Sequence, residues 1–224
     1  RFSIDYFNKT TKDGLLKKTL PQYDGGGTYW VNACEVVNRG VDFTIDAHIL
    51  NQKDLNWSSS FTGSYLKNKV TSLDNIPFVQ GYSSAVGLMG DVTRIVVGQP
   101  IGAFYLYQWT GLDASGHDTY ADLDGSGTLS EGDRTFCGKA NPTFTLGWNN
   151  QLSWRNWDVN LFFTGAFGAK RLNLMRYFAA SMNGASKFIT LKEAYYQSFG
   201  KTDNPIYPAV NVTNNNYQGA STKW

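Results

Sequence analysis

The sequence has no long apolar run, few cysteines and histidines, and almost no excess of charge. No stretch approaches 18 consecutive apolar residues, which excludes a transmembrane helix. Two cysteines and two histidines in 224 residues indicate neither a Cys-rich nor a two-His metal site. A net charge of +2 argues against a nucleic-acid partner. A transmembrane β-barrel stays open, because its alternating strands never form a solid apolar run.

What the sequence does contain is aromatic residues, 15% of the chain, placed in a regular two-residue alternation. In residues 41–49 the apolar side chains occupy the odd positions and the polar ones the even positions. The same alternation recurs in residues 2–6, 57–65, 144–154 and 157–167. Segments of about ten residues are long enough for a tilted strand to cross a bilayer. The pattern predicts an all-β fold whose long strands have one apolar and one hydrophilic face.

The predicted connections between these strands differ strongly in length. Residues 51–54 and 155–156 form short turns. The other connections are long, namely residues 11–39, 67–142 and 168–224. Short turns on one side and long loops on the other are typical of outer-membrane barrels, whereas a soluble sandwich has more even connections. Within the long loops we expect a further strand over residues 98–107 and a short helix over residues 191–199.

Residues 122–133 read DLDGSGTLSEGD and have the ligand spacing of a calcium loop. Gly127 falls at position 6, where such a loop turns sharply, and Asp133 replaces the usual Glu at position 12, which shortens its reach. The candidate metal ligands are Asp122, Asp124, Ser126, Thr128, Ser130 and Asp133. The motif predicts a structural Ca²⁺ that holds a loop, and the alternative is a solvated acidic turn without a metal.

No catalytic constellation is legible in the sequence. His48 lies on the polar face of a predicted strand, and His117 lies in a Gly- and Asp-rich loop. Neither has a nucleophile and an orienting acid at a spacing that indicates a triad. No carboxylate pair is marked out for acid–base work. We therefore expect no enzymatic activity. The two cysteines, Cys34 and Cys137, either form one disulfide or stay free.

Several motifs occur together in one order along the chain. GQPIGAFYLYQWTGLD (residues 98–113) precedes the calcium-type loop, and Asn141-Pro142, FTLGW (residues 144–148) and WRNWDV (residues 154–159) follow it. This order resembles the C-terminal barrel region of the SusC/RagA-type TonB-dependent outer-membrane transporters. The resemblance covers nearly all of the chain.

The resemblance implies a 22-stranded antiparallel transmembrane β-barrel with long extracellular loops, to which residues 1–224 contribute the C-terminal portion. Residues 67–142 would be an extracellular loop region, and the plug domain and the remaining strands would lie outside this chain. Such proteins import oligosaccharides or peptides across the Gram-negative outer membrane. The implied partners are TonB, through the N-terminal region that this chain lacks, a SusD-like surface lipoprotein, and outer-membrane lipid.

Another interpretation is a soluble, secreted β-domain that calcium stabilises and that binds glycans or surfaces. The loop aromatics suit either interpretation, because they can stack on sugar rings or pack the loop itself. These aromatics are Tyr105, Tyr107, Trp109 and Tyr120.

Overall fold

The computed structural model describes residues 1–19, 25–81, 91–180, 196–208 and 220–223. The chain forms two compact units. Unit 1 comprises Arg1–Val79, Ile95–Gly102 and Lys139–Lys170. Unit 2 comprises Gln80–Arg94, Ala103–Gly138 and Arg171–Trp224. Among the described residues, no helix has both the length and the apolar character needed to cross a membrane.

The described part of the chain is built mainly from β-strands. The strands are β1 (Phe2–Thr19), β2 (Thr28–Asn51), β3 (Leu55–Ser72), β4 (Val79–Gln80), β5 (Thr93–Ile95), β6 (Ala103–Tyr107), β7 (Trp109–Leu112), β8 (Asp118–Tyr120), β9 (Arg134–Lys139), β10 (Phe144–Trp154) and β11 (Trp157–Phe167). A short 3₁₀ helix, Glu131–Asp133, precedes β9, and helix α1 covers Leu174–Ala180.

Unit 1 is an antiparallel sheet with the strand order β1-β2-β3-β10-β11. The register places side chains of neighbouring strands side by side in rows, and on one face of the sheet most of these side chains are apolar. On one face the rows are Tyr6, Val41, Tyr65, Phe144, Phe167; Ile4, Phe43, Gly63, Leu146, Gly165; Phe2, Ile45, Phe61, Trp148, Phe163; Ala47, Ser59, Asn150, Leu161; Leu50, Trp57, Leu152, Val159; and Leu55, Trp154, Trp157. We call this the apolar face. It confirms the alternation that the sequence predicts.

The opposite face, called the polar face, is mostly hydrophilic. Its rows include Ser3, Thr44, Thr62, Gly147, Thr164 and His48, Ser58, Gln151, Asn160. Two carboxylates on it accept hydrogen bonds from serines on the neighbouring strand, Asp46 from Ser60 (2.6 Å) and Asp42 from Ser64 (2.5 Å). The apolar exceptions on this face include Phe7, Leu66 and Phe162, and the side chain of Phe162 is 67% exposed.

The predicted long connection over residues 11–39 is wrong. β1 continues to Thr19 and β2 begins at Thr28, so most of these residues are paired strand. Residues 11–39 contribute to a small hydrophobic core whose other residues come from distant parts of the sequence. Its buried members are Cys34, Val36, Val70 and Leu73, packed against Leu16, Ile76 and Ile95. Because these contacts come from separate parts of the chain, no local alternation reveals them.

The predicted loop region of residues 67–142 is also more structured than expected. β3 runs on to Ser72, and the described residues of this region form six short strands. The strand expected over residues 98–107 is confined to β6, because Gly98 and Gly102 have positive φ angles of 93° and 78° and turn the chain before it. Of the helix expected over residues 191–199, residues 191–195 lie outside the described part, and it is wrong for Ser198 and Phe199, which form β-bridges with Tyr207 and Thr202.

Unit 2 has its own core and its own sheets. Four strands, in the order β4-β5-β6-β9, form one sheet, and β7 pairs with β8. The core residues are Val92, Phe104, Leu106, Tyr177, Tyr207 and Ala220. The loop aromatics pack within this unit: Tyr105 lies 5.1 Å from Phe136 and Tyr107 lies 6.0 Å from Tyr120 between ring centres. Cys34 and Cys137 are both free thiols.

Substituting Gly40 tests the tight approach between strands in unit 1. A Cβ at this position would collide with the Tyr65 carbonyl oxygen and the Phe7 ring. We expect Gly40→Val to lower the stability of the sheet by about 1–3 kcal/mol, the usual cost of overpacking. Ala47→Val, at an exposed position of β2, is the matched control and should leave the thermal midpoint unchanged. Equal midpoints for the two variants would contradict the predicted clash.

Candidate functional site

The calcium-type loop of unit 2 connects β8 to β9 and ends in the 3₁₀ helix. Three of the six predicted ligands, Asp122, Asp124 and Asp133, come together, with one carboxylate oxygen from each lying within 4.8 Å of the others. The donor set is entirely oxygen, which suits a hard cation such as Ca²⁺. Gly125 and Gly127 have φ angles of 71° and 72°, so the loop turns at the positions where the sequence places glycine.

The carboxylate of Asp122 organises the first turn of the loop. It accepts hydrogen bonds from the backbone N–H groups of Gly125 (2.7 Å), Ser126 (3.2 Å) and Gly127 (2.9 Å). Asp124 accepts one from the backbone of Ser126 (3.0 Å) and one from the Ser130 hydroxyl (2.7 Å). The Ser130 and Ser126 hydrogen bonds lower the pKa of the Asp124 carboxyl. The loop thus turns these carboxylates toward its own backbone, and its hydrogen bonds favour the ionised form of Asp124.

Asp133 is the buried member of the cluster. Its carboxylate accepts hydrogen bonds from the backbone N–H groups of Ser130 (2.7 Å) and Leu123 (2.8 Å). These hydrogen bonds, led by that of Ser130, lower the pKa of Asp133 against the opposing effect of burial. The residue therefore fixes both ends of the loop to one carboxylate. Asp133 stands where a calcium loop usually has Glu, and its shorter side chain reaches the backbone N–H groups of both Leu123 and Ser130.

The other three predicted ligands have roles within the loop. Ser126 donates its hydroxyl to the Thr128 carbonyl oxygen at 2.8 Å. Ser130 caps the 3₁₀ helix: its side chain accepts from the backbone N–H of Gly132, and its own backbone N–H donates to the Asp133 carboxylate. The spacing Ser130-x-x-Asp133 is a capping-box pattern, which identifies this second role from sequence.

An arginine pair next to the loop has no counterpart among the sequence predictions. The guanidinium carbons of Arg94 and Arg134 lie 4.3 and 4.8 Å from the centre of the Tyr105 ring. Both arginines form ion pairs with Asp91 and with Glu131 of the 3₁₀ helix. Burial opposes ionisation of Asp91, but the two arginines lower its pKa overall. Charge pairing and cation–π contact thus fix the end of the loop to β5 and β6.

The buried ion pair between Lys223 and Asp118 was also not predicted from the sequence. Lys223 pairs with Asp118, which is fully buried, and Trp109 Nε1 donates to the same carboxylate at 2.8 Å. Burial lowers the pKa of Lys223, and the negative charge of Asp118 opposes that shift. The pair spans 105 positions in sequence, so neither residue carries a local signal for it.

Asp133→Asn tests whether this carboxylate organises the loop. An amide can accept from Leu123 but places an N–H group against that of Ser130, so one backbone donor loses its partner. We expect amide hydrogen exchange in residues 122–134 to accelerate about tenfold. The exposed Asp203→Asn is the control. If exchange is the same in both variants, Asp133 does not hold the loop.

No protein-family model matches the chain. Among curated proteins, it is similar to TonB-dependent receptor P3 of Formosa agariphila, with 33% identity over 188 residues that cover 76% of this chain and 19% of that protein. TonB-dependent receptor SusC of Bacteroides thetaiotaomicron is 26% identical over 168 residues, covering 70% of this chain and 16% of that protein. The chain thus spans about a fifth of the length of the curated relatives it matches.

Among solved structures, the chain is similar in fold to a peptide transport system. The RagAB peptide importer in its "closed-closed" state matches with a TM-score of 0.72 at 21% identity, covering 95% of this chain and 24% of that chain. The RagAB peptide transporter matches with a TM-score of 0.70 at 22% identity, covering 82% and 20%. These likenesses confirm the all-β, antiparallel architecture. By sequence and fold, the chain belongs to the SusC-type TonB-dependent receptors and corresponds to one segment of such a receptor.

Proposed function

We propose that the five-stranded sheet of unit 1 is part of a 22-stranded barrel that imports oligosaccharides or peptides across the Gram-negative outer membrane. TonB energises the transport, and a SusD-like lipoprotein assembles with the barrel. Membership of the receptor family supports this function, and the observation that carries it is the exposed apolar face. Phe2, Ile4 and Tyr6 on β1 are 65%, 61% and 70% exposed, which water disfavours and lipid does not.

The height of the apolar face supports a membrane location. Its six rows span β10 from Phe144 to Trp154, which is ten residue steps. At about 3.4 Å per residue the face is roughly 34 Å long along the strand. A strand tilt of about 35–45° reduces this to roughly 24–28 Å along the membrane normal, close to the apolar band of about 25 Å in outer-membrane barrels. Trp154 and Trp157 form the last row, where an aromatic girdle belongs.

The topology of unit 1 supports an orientation. The turns after Asn51 and Trp154 are short and lie at one end of the sheet, and the connection from β3 to β10 leaves from the other end. In outer-membrane barrels the short turns are periplasmic and the long connections extracellular. The residues between β3 and β10, with the calcium-type loop, therefore belong to the extracellular side in this proposal.

The polar face lines the aqueous interior of the barrel in this arrangement. Its serines, threonines and carboxylates hydrate readily, and β2, β3 and β10 are paired with a strand on both sides, as a membrane span requires. The residues that we assign to the interior are Asp42, Thr44, Asp46, Ser58, Ser60, Asn149 and Asn160.

We further propose that the calcium-type loop binds a structural Ca²⁺ through Asp122, Asp124 and Asp133, with Ser126, Thr128 and Ser130 completing the site. The proximity of the three carboxylates supports the proposal. Bound calcium would add positive charge beside carboxylates that accept hydrogen bonds from backbone N–H groups and from the Ser130 hydroxyl. Its role is local, because all candidate ligands lie within residues 122–133.

Cell fractionation tests the membrane location. Peptides of this sequence should occur in a detergent-extracted outer-membrane polypeptide about five times as heavy as this segment of 24.9 kDa. A soluble species that needs no detergent would contradict the transporter proposal and favour a secreted calcium-stabilised domain.

Adjacent substitutions on β2 distinguish the two faces. Ile45→Lys places a charge in the third row of the apolar face, where a lysine costs about 2–4 kcal/mol in lipid. Thr44→Lys places the same charge on the polar face. We expect only Ile45→Lys to reduce the folded fraction in the outer membrane, measured by heat-dependent gel migration. Equal loss in both variants would contradict lipid contact.

The calcium site is tested by the double substitution Asp122→Ala and Asp124→Ala in the detergent-extracted polypeptide. We expect calcium affinity, measured by titration calorimetry, to fall at least about tenfold, because two charged ligands are lost. Asp113→Ala, in a neighbouring turn, is the control. Unchanged affinity in the double variant would exclude the site.

The pH dependence of calcium binding provides a second check. The folded-state pKa values of Asp124 and Asp133 are lowered, so both carboxyls are ionised above their unfolded value of about 3.9. Affinity should stay constant from pH 7 to pH 5 and fall as the pH drops through the lowered pKa values. A decrease already between pH 7 and pH 6 would point to histidine instead.

A further inference from the structure

Exposed cationic side chains lie just beyond the first row of the apolar face, the row that contains Val41 and Tyr65. Arg39 pairs with Lys67 across β2 and β3, and Lys69 follows two residues along β3. All three are exposed. Because side chains two residues apart point to the same side of a strand, Lys67 and Lys69 share the face of Tyr65. We call Arg39, Lys67 and Lys69 the cationic patch.

The protein leaves the charges of this patch unbalanced. None of the ion pairs among the described residues involves Arg39, Lys67 or Lys69. Arg39 Nε donates to the side-chain oxygen of Asn8 at 3.1 Å, which orients the guanidinium beside the strands. Three positive charges within two neighbouring rows form a strong local attraction for an anion.

The opposite face of the sheet is closed at the same height. Asn68 lies between Lys67 and Lys69 and points the other way, where its amide oxygen accepts from the backbone of Ile101 at 2.8 Å. Val70, two residues further along on the same face as Asn68, is fully buried in the cluster against which Ile95 packs. Unit 1 thus covers its own inner face here, and the outer face of the patch remains open.

We infer that the cationic patch binds a lipid with an anionic, phosphate-bearing head group in the outer leaflet. The inference rests on the proposed membrane location. A lipid whose acyl chains pack against Tyr65 and Val41 has its head group about one row, roughly 7 Å, further along the strands. Lysine and arginine at this level extend their ends toward phosphates while their stems cover apolar surface. Charge complementarity and continuity with the apolar face both select an anionic lipid.

The test compares two triple variants of the full membrane polypeptide. Arg39→Gln, Lys67→Gln and Lys69→Gln remove the patch, whereas Lys12→Gln, Lys17→Gln and Lys18→Gln remove the same charge from a more distant part of β1. The probe is phosphatidylglycerol in nanodiscs, compared with phosphatidylcholine, and lipid retained after detergent exchange is quantified by native mass spectrometry. About one kcal/mol per basic residue is roughly fivefold in binding, so the patch variant should lose about one-hundred-fold.

The outcomes separate this inference from the proposed function. Loss of retained phosphatidylglycerol in the patch variant alone supports the inference. Equal retention in wild type and patch variant overturns it, as does equal loss in both variants, which indicates a general charge effect. Binding of inorganic phosphate without lipid retention also overturns it. If the wild-type polypeptide is extracted without detergent, the membrane location itself fails, and that result is visible before any lipid is measured.

Discussion

The register of the five long strands determines which environment each side chain meets. A strand repeats every two residues, so a slip of one residue in β10 would move Leu146 and Trp148 to the polar face and Asn149 to the apolar face. The short turn at Arg155, with its φ of 52°, and the turn after Asn51 fix this register locally. The aromatic contacts of Phe43 with Phe61 and Phe144 then reinforce it across three strands.

Unit 2 is stabilised by different interactions from those of unit 1. Its described strands are short, so buried charges and short loops replace extended pairing. Asp133 and Asp118 are both fully buried, and each is compensated, the first by backbone N–H groups and the second by Lys223 and Trp109. Removing one partner of such a pair leaves an uncompensated charge, which is far more costly than losing a surface ion pair. The calcium-type loop is therefore positioned by its surroundings as well as by its own sequence.

The sequence was sufficient where structure follows a local pattern. The bounds of β10 and β11, the turn at Arg155 and the gathering of Asp122, Asp124 and Asp133 all depend on residues close in the chain. It was insufficient where contacts join distant residues. The local sequence predicts a loop for the first part of β2, because Cys34 and Val36 are buried only through contacts with Val70 and Leu73. Arg134 and Asp91 form an ion pair although they are 43 residues apart in sequence, so no short motif predicts it.

The same register that forms the apolar face also creates the cationic patch. Arg39 lies in a predicted loop when only the local sequence is considered, and Lys67 lies at the start of another. Pairing β2 with β3 brings the two side by side, one row beyond Val41 and Tyr65. Like charges opposite each other destabilise a strand pair unless an anion lies between or near them. A membrane surface rich in phosphate supplies that anion, so the end of the apolar face and the start of the charged rows define one boundary.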